Sequence, residues 1–264
     1  MVGELGPWAD LVRCVVAPLG VDGGPLARSL ARLLAGHWLP FEVIAGSPAV
    51  RYGARITLRR GDRHAPAHDF AHHPWGTPDW IGVRLDRAGA VRLKAYHRGP
   101  PPVGGSPPHR GLPPGLTPVM AACEGDQIEV YGALPGERSW PRFARDCLRW
   151  AGGEAWAGAG EPGLRGYPRQ AADQFAASVK YRAGAPVALS LYAFDGALPD
   201  DRRAGEIWSA GLGPADRQAY QAAYAGAQST GRHPAHRYHA AFCWTYSAGE
   251  GESRSVSLRL PPAR

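Results

Sequence analysis

The sequence contains very little lysine and only a few, widely separated cysteines. Of its 30 Lys and Arg residues only Lys94 and Lys180 are lysines, and the 4 cysteines form no CxxC pair. This spacing excludes a cysteine-based zinc framework, and a chain of this length gives little reason to expect disulfides. No run of about 18 apolar residues is present, so no transmembrane helix is predicted. Polar residues interrupt the first apolar stretch, which argues against a signal peptide and favours a cytoplasmic protein.

The sequence also lacks the short motifs of several common enzyme classes. It has no GxGxxG before a predicted helix, no GxxxxGK[ST] loop and no GxSxG segment, which argues against dinucleotide-binding, P-loop and α/β-hydrolase sites. The net charge of +7 favours an anionic partner. Because the arginines are dispersed and no RNA-recognition motif or basic helix is present, we expect a small anion and neither nucleic acid nor a membrane.

What the sequence does contain is a repeated helix and hairpin pattern. Its 264 residues are 44% hydrophobic and 20% charged, which fits a folded chain that we expect to be one domain spanning residues 1–264. Apolar residues at helical spacing and alternating residues around turns define the predicted elements. The predicted helices cover 24–37, 137–150, 201–212 and 213–228, the hairpins cover 41–60, 79–98, 175–194 and 238–262, and a possible extra strand covers 127–131.

The hairpins alternate in polarity, so each strand has one apolar and one polar face. In residues 91–96, apolar positions alternate with Arg92, Lys94 and Tyr96. Consecutive hairpins with intervening helices indicate an antiparallel sheet covered by helices on one face. An open sheet would expose the polar face to water, whereas a closed barrel would place it around an interior cavity. The alternation by itself leaves both arrangements open.

Three short segments on predicted strands resemble motifs of a known family. They are Pro40-Phe41-Glu42 followed by Arg51 and Arg55, then Lys94-Ala95-Tyr96, and then Ser190-Leu191-Tyr192. With the helix and hairpin order over residues 24–260, they resemble the ABBA-fold aromatic prenyltransferases of the indole, or dimethylallyltryptophan synthase, type. The resemblance implies an α+β fold in which an antiparallel β-barrel of repeated hairpins is surrounded by helices.

The same resemblance implies a reaction and a set of substrate-binding residues. The expected activity is transfer of a prenyl group from an allylic diphosphate to an indole or other aromatic acceptor in secondary metabolism. Dimethylallyl is the prenyl group that we expect. We expect no cofactor, no obligatory metal, and a monomer or homodimer. Glu42 is expected to bind and deprotonate the acceptor as a general base, while cations hold the diphosphate and tyrosines screen the allylic cation. The expected substrate-binding residues are Arg51, Arg55, Lys94, Tyr96, Lys180, Tyr192, Tyr246 and Arg259.

Two strands depart from the family pattern. In the third hairpin, Ala188 and Ser190 stand where the family more often has an arginine and a lysine, and we expect Lys180 on the partner strand to supply a charge. The last strand has Ser257 and Arg259 where the family tends to have Lys or Gln with Tyr. Both departures concern diphosphate binding and leave the barrel prediction intact.

Other functions remain open from the sequence. One is a barrel enzyme that catalyses a cyclisation or isomerisation without diphosphate, and another is a non-catalytic protein that binds a ligand or nucleic acid. A third is a metal enzyme, because closely spaced histidines can bind zinc or iron. Prolines interrupt the first histidine cluster, which favours a polar loop. The clusters are His64, His68, His72 and His73, and His233, His236 and His239.

Overall fold

The structure is a computed structural model that describes most of the chain with several gaps. The described residues are 22–35, 38–46, 52–60, 75–86, 89–101, 111–134, 140–164, 175–194, 205–206, 209, 212–230, 239–247, 249 and 251–259. Arg51 and the histidines at positions 64–73 and 233–236 lie outside these residues. Within them the helices are α1 (Gly24–Ala35), α2 (Trp140–Leu164) and α3 (Pro214–Thr230).

The strand order closes into an antiparallel barrel. Each strand is hydrogen-bonded to its neighbours in the chain, and the last strand, β10, is hydrogen-bonded to the first, β1. This closure confirms the predicted barrel and excludes the open sheet, and it leaves no unpaired edge among the strands that the structure describes. The strands are β1 (Trp38–Gly46), β2 (Tyr52–Arg60), β3 (Trp80–Asp86), β4 (Val91–Arg98), β5 (Thr117–Glu124), β6 (Gln127–Ala133), β7 (Phe175–Arg182), β8 (Ala185–Phe194), β9 (His239–Ser247) and β10 (Gly251–Arg259).

The predicted extra strand is one arm of a hairpin that the sequence pattern did not resolve. Strand β6 covers it and pairs with β5, from Thr117 opposite Ala133 to Glu124 opposite Gln127. The helix predicted over 137–150 is also longer than expected, since α2 begins at Trp140 and ends at Leu164. Pro141 lies in its first turn, where proline costs no intrahelical hydrogen bond, and therefore does not shorten the helix.

Contacts within the chain divide it into two compact units. Unit 1 comprises Met1–Ala95, Leu212–Ala240 and Ser255–Arg264, and unit 2 comprises Tyr96–Gly211 and Ala241–Arg254. Each unit includes strands of the barrel and at least one of the helices α1–α3. The single domain expected over residues 1–264 stays a prediction.

Unit 1 places α1 against β1 and β3. The helix begins after Asp22, whose Oδ1 accepts a hydrogen bond of 2.8 Å from the backbone N–H of Gly24 and so caps the first turn. The leucines at positions 26, 30 and 33 repeat at helical spacing and are buried. They share the core of this unit with the buried strand residues Ile56, Leu58, Ile81, Val83 and Leu85.

Unit 2 places α2 against β7 and β8. The helix buries one side, including Phe143, Cys147 and Leu148. Non-helical backbone angles at Gly152 and Gly153 kink it, and Gly153 has a φ of 69° that glycine adopts without steric cost. The strand residues buried on the helix-packed side are Val130, Ala177, Val179, Leu189, Leu191, Phe242 and Trp244.

Candidate functional site

The side of unit 2 that faces away from α2 carries a continuous row of polar side chains. Tyr131 of β6 is opposite Ser178 of β7, Ser178 is opposite Ser190 of β8, and Ser190 is opposite Thr245 of β9. Register partners in antiparallel strands project to the same side of the sheet, so these residues form one row across four strands. We call this side the inner face of unit 2; it comprises Glu129, Tyr131, Ser178, Lys180, Ser190, Tyr192, Cys243 and Thr245.

Three tyrosines form an arc on this face. The ring centroids of Tyr96 and Tyr131 are 6.0 Å apart with an interplanar angle of 48°, and those of Tyr131 and Tyr192 are 6.1 Å apart at 40°. Their π faces can stabilise a positive charge placed against them. The sequence predicted Tyr96 and Tyr192 but missed Tyr131, which closes the gap between them. The pattern Gln127-x-Glu129-x-Tyr131 in the extra strand is the feature that identifies it.

A hydrogen-bond chain connects this arc to a buried carboxylate. The Ser178 hydroxyl donates to Oε1 of Glu129, and Ser178 Oγ lies 3.1 Å from the hydroxyl oxygen of Tyr192. Serine has one hydroxyl proton, so a Ser178 that donates to Glu129 must accept from Tyr192. Glu129 is only 5% exposed, and burial of a carboxylate requires such partners. Neither Glu129 nor Ser178 was predicted from the sequence.

A second pair of hydroxyls lies beside this chain. Ser190 Oγ and Thr245 Oγ1 are 2.8 Å apart, and the Cys243 sulfur lies 3.5 Å from the same threonine oxygen. Ser190 occupies the position where the family pattern has a lysine. The structure therefore gives this part of the inner face hydroxyl and thiol groups where the pattern expects a cation.

Lys94 lies on β4, the strand that carries Tyr96. Lys180 lies on β7, between the strands that carry Tyr131 and Tyr192. Lys94 is two residues before Tyr96 on β4, so the two residues share a side of the strand. Lys94 is only 1% exposed, which is rare for lysine. Lys180 of β7 is half-buried and has Glu129 and Ala188 as its register partners. Its direct neighbour is thus a carboxylate that the sequence reasoning did not consider.

In unit 1 the backbone register places predicted residues opposite one another. Glu42 of β1 is opposite Arg259 of β10 and Thr57 of β2. The register with β2 shifts between Pro40 and Glu42, and such β-bulges often occur next to active sites, where they redirect a residue.

Arg55 of β2 is opposite Ile44 of β1 and Arg84 of β3. Arg84 is only 5% exposed and was not predicted. The register thus places two arginines opposite each other on neighbouring strands of unit 1.

Tyr246 does not join the other predicted tyrosines. Its register partner is Leu189, one position away from the inner-face residue Ser190, so it lies on the helix-packed side of the sheet. Its ring packs edge-on against Trp156 of α2 at 5.1 Å and is stacked on Trp244 at 6.1 Å. Tyr246 is part of the packing between β9 and α2.

No metal-binding cluster is present in the part of the chain that the structure describes. No three His, Cys, Asp or Glu residues there are placed together as ligands. The histidines at 64–73 and 233–236 lie outside that part, so the metal hypothesis stays a prediction. None of the described helices has both the length and the apolar character that a membrane span requires.

Comparison with known proteins identifies the fold. No family model and no curated protein sequence matches the chain. Solved structures do match over its whole length, and they define the fold as that of the ABBA-type aromatic prenyltransferases, as the sequence motifs implied.

Three of these structures illustrate the match. The 5-dimethylallyl tryptophan synthase from Streptomyces coelicolor, solved with DMASPP and Trp, has a TM-score of 0.66 at 14% identity, covering 100% of this chain and 98% of that one. The apo prenyltransferase PriB has a TM-score of 0.68 at 14% identity, covering 100% and 99%. NotF, solved with brevianamide F and DMSPP, has a TM-score of 0.63 at 12% identity, covering 96% and 93%.

Proposed function

We propose that this protein is an aromatic prenyltransferase that transfers a dimethylallyl group from its diphosphate to an indole or related ring. The observation that carries the proposal is the arc of Tyr96, Tyr131 and Tyr192, with buried Lys94 on the same strand as Tyr96. The fold supports it, because the solved structures that share the fold include PriB with L-tryptophan and dimethylallyl thiolodiphosphate. The reaction would belong to secondary metabolism in the cytoplasm.

In this proposal the tyrosine arc acts on the donor. Breaking the bond between the allylic carbon and the diphosphate oxygen leaves an allylic cation and a diphosphate anion. The π faces of the arc stabilise the cation and keep water away from it. The ammonium group of Lys94 stabilises the growing negative charge of the leaving group. Arg51, Arg55, Lys180 and Arg259 are the further proposed diphosphate ligands.

Glu42 is the proposed general base for the acceptor. Its carboxylate would accept a hydrogen bond from the ring N–H and take up the proton that the substituted ring carbon loses. The bulge between Pro40 and Glu42 supports this assignment, because it redirects the strand at this residue. Tyr246 is left out of the proposed site because it packs against Trp156.

The test is a direct assay. The protein is incubated with dimethylallyl diphosphate and a panel of tryptophan, tryptamine, cyclic dipeptides and simple phenols, with and without EDTA. A product heavier than the acceptor by one dimethylallyl group, formed in the presence of EDTA, supports the proposal. Absence of product from the whole panel, together with absence of pyrophosphate binding, overturns it.

A second function is favoured by one observation, the buried carboxylate of Glu129 on the inner face. A carboxylate at this position would repel a diphosphate, whereas it would suit an enzyme that cyclises or isomerises an uncharged substrate. The two functions differ in one measurement, since only the transferase requires that inorganic pyrophosphate bind and that Lys94→Met weaken this binding. Unchanged pyrophosphate binding in Lys94→Met would favour the second function.

A further inference from the structure

Ser178 lies between two tyrosines of the arc. Its register partner on β6 is Tyr131, and its partner on β8 is Ser190, which is two residues before Tyr192. The hydroxyl oxygen of Ser178 lies 3.1 Å from that of Tyr192. Ser178 is 0% exposed, so its hydroxyl forms its hydrogen bonds with neighbouring protein groups and not with bulk water. Ser178 therefore supports the arc from below and is not part of the surface that a substrate touches.

Glu129 fixes the direction of the Ser178 hydroxyl. This hydroxyl donates to Oε1 of Glu129. Because a serine hydroxyl has a single proton and two lone pairs, the bond to Glu129 leaves Ser178 Oγ as an acceptor for the proton of Tyr192. The buried carboxylate thus holds the serine in the orientation in which it can accept a hydrogen bond from the tyrosine.

The hydrogen bond to Ser178 stabilises one position of the Tyr192 ring. Tyrosine side chains occupy separate staggered rotamers about χ1. A hydrogen bond at the far end of the ring favours the rotamer that brings the hydroxyl to Ser178. In this rotamer the centroid of the Tyr192 ring is 6.1 Å from that of Tyr131. Another rotamer would move the ring away from Tyr131 and open the arc at this end.

We propose that Ser178 is a positioning residue that acts through Tyr192 and determines how often water captures the allylic cation. The inference rests on the proposed function, in which the arc keeps water from the cation. Water that passes the arc forms a bond from its oxygen to the allylic carbon and releases a proton, so the products are dimethylallyl alcohol and diphosphate. Capture by the acceptor gives the prenylated ring and diphosphate. Ser178 favours this transfer over hydrolysis of the donor.

The ratio of dimethylallyl alcohol to prenylated acceptor measures this effect. The full-length protein is incubated with dimethylallyl diphosphate and an acceptor that the wild type prenylates, and both products are quantified in the same reaction. Ser178→Ala removes the hydrogen bond to Tyr192. We expect the ratio to rise about fivefold, the effect of one hydrogen bond between uncharged groups. A ratio in Ser178→Ala equal to that of the wild type overturns the inference.

Tyr192→Phe removes the same hydrogen bond from the other side and keeps the aromatic ring. We expect it to raise the ratio by the same factor, and it tests the inference even if Ser178→Ala does not fold. The double variant should show no further rise, because both substitutions remove one and the same interaction. Independent, multiplying rises in the double variant would show that Ser178 does not act through Tyr192.

Two matched controls remove hydroxyl groups elsewhere in unit 2. Ser209→Ala removes a buried serine hydroxyl that donates to the carbonyl oxygen of Glu206 at 3.2 Å. Tyr181→Phe removes a tyrosine hydroxyl that donates to the carbonyl oxygen of Gly111. We expect both variants to keep the wild-type ratio. A rise in either control as large as that in Ser178→Ala would mean that loss of any such hydroxyl admits water, and it would contradict a specific role of Ser178.

Failure of this inference is distinguishable from failure of the proposed function. A wild type that forms no prenylated product with any acceptor overturns the proposed function, and the inference with it. A wild type that prenylates an acceptor, with an unchanged ratio in Ser178→Ala and Tyr192→Phe, leaves the transferase intact and removes only the role of Ser178.

Discussion

The indole of Trp156 lies directly over Gly152, so that a β-carbon at Gly152 would overlap the ring. The glycine is thus required at the kink of α2 because a bulky ring occupies the space of its side chain. The same ring packs edge-on against Tyr246 of β9, so it cannot yield without disturbing the contact between helix and barrel.

Gly152→Ala should destabilise the protein by about 1–3 kcal/mol, the usual cost of overpacking a core. Chemical denaturation of the purified variant measures this. Gly158→Ala in the same helix is the control, because a β-carbon there meets no atom within 4 Å. The control should be neutral or stabilise by up to about 1 kcal/mol. Equal stability of the two variants would show that Trp156 does not occupy the space over Gly152.

Gly132→Ala should also destabilise the protein. A β-carbon at Gly132 would lie 2.6 Å from Leu112 Cδ1 and 2.9 Å from Leu116 Cβ, which is too close for either contact. The same segment is held at its start by Tyr181, whose hydroxyl donates to the carbonyl oxygen of Gly111. We expect a loss of about 1–3 kcal/mol in denaturant unfolding. A variant as stable as the wild type would mean that residues 112–116 move away without cost.

Ala183→Asn should stabilise the protein. The turn between β7 and β8 has φ of 49° at Ala183 and 78° at Gly184, which is the pattern of a tight hairpin turn that favours Asn-Gly. Relief of the unfavourable backbone angle should add about 0.5–1 kcal/mol, measured as a higher Tm. Ala90→Asn, at an exposed position without a positive φ, is the control and should not raise the Tm.

Lys94→Met should weaken binding of inorganic pyrophosphate by about tenfold or more, as expected from loss of a charged hydrogen bond. Arg92→Met is the matched control, because Arg92 lies two residues away on β4 but is exposed. Calorimetric titration measures both. If Arg92→Met has the larger effect, the bound anion contacts the protein surface and Lys94 is not its ligand.

Glu154 should titrate at a lower pH than an ordinary glutamate. A hydrogen bond from Arg149 and the charge of that guanidinium lower the pKa of Glu154. Since the folded-state pKa is the lower one, the small stabilisation is present above the ordinary pKa and is lost as the pH falls through the lowered value. An NMR titration of Glu154 tests this, and Arg149→Met should return the pKa to its ordinary range. An unchanged titration in the variant would contradict the prediction.

Local alternation predicted most of the hairpins, whereas the closure of the sheet into a barrel was implied by the family resemblance. The hairpin over residues 175–194, with its turn at Ala183 and Gly184, is observed as β7 and β8. Of the hairpin formed by β5 and β6, the sequence pattern predicted only the second strand, β6. Its first strand contains Pro118 and the small residues Ala121 and Ala122, which give weak strand preference. The pairing of β5 with β6 and β4 supplies what the local preference lacks.

Residues of the candidate site were predicted from the sequence only where they lie on one side of a single strand. Lys94 and Tyr96 were recognised as residues on one side of a strand because they are two positions apart. Tyr246 was grouped with the other tyrosines by residue type, whereas its side of the sheet depends on the register between β8 and β9. That register places it opposite Leu189 and against Trp156.

The sequence by itself determined four of the five hairpins of the described strands, the polarity of their faces, and the position of Lys94 and Lys180 on predicted strands. These are properties of near neighbours in the chain, and alternation with a period of two expresses them directly. Only the tertiary structure decided that Glu129, Ser178 and Tyr192 form one hydrogen-bond chain. Glu129 and Ser178 are 49 positions apart, and their contact depends on the register of β6 and β7, which non-local pairing determines.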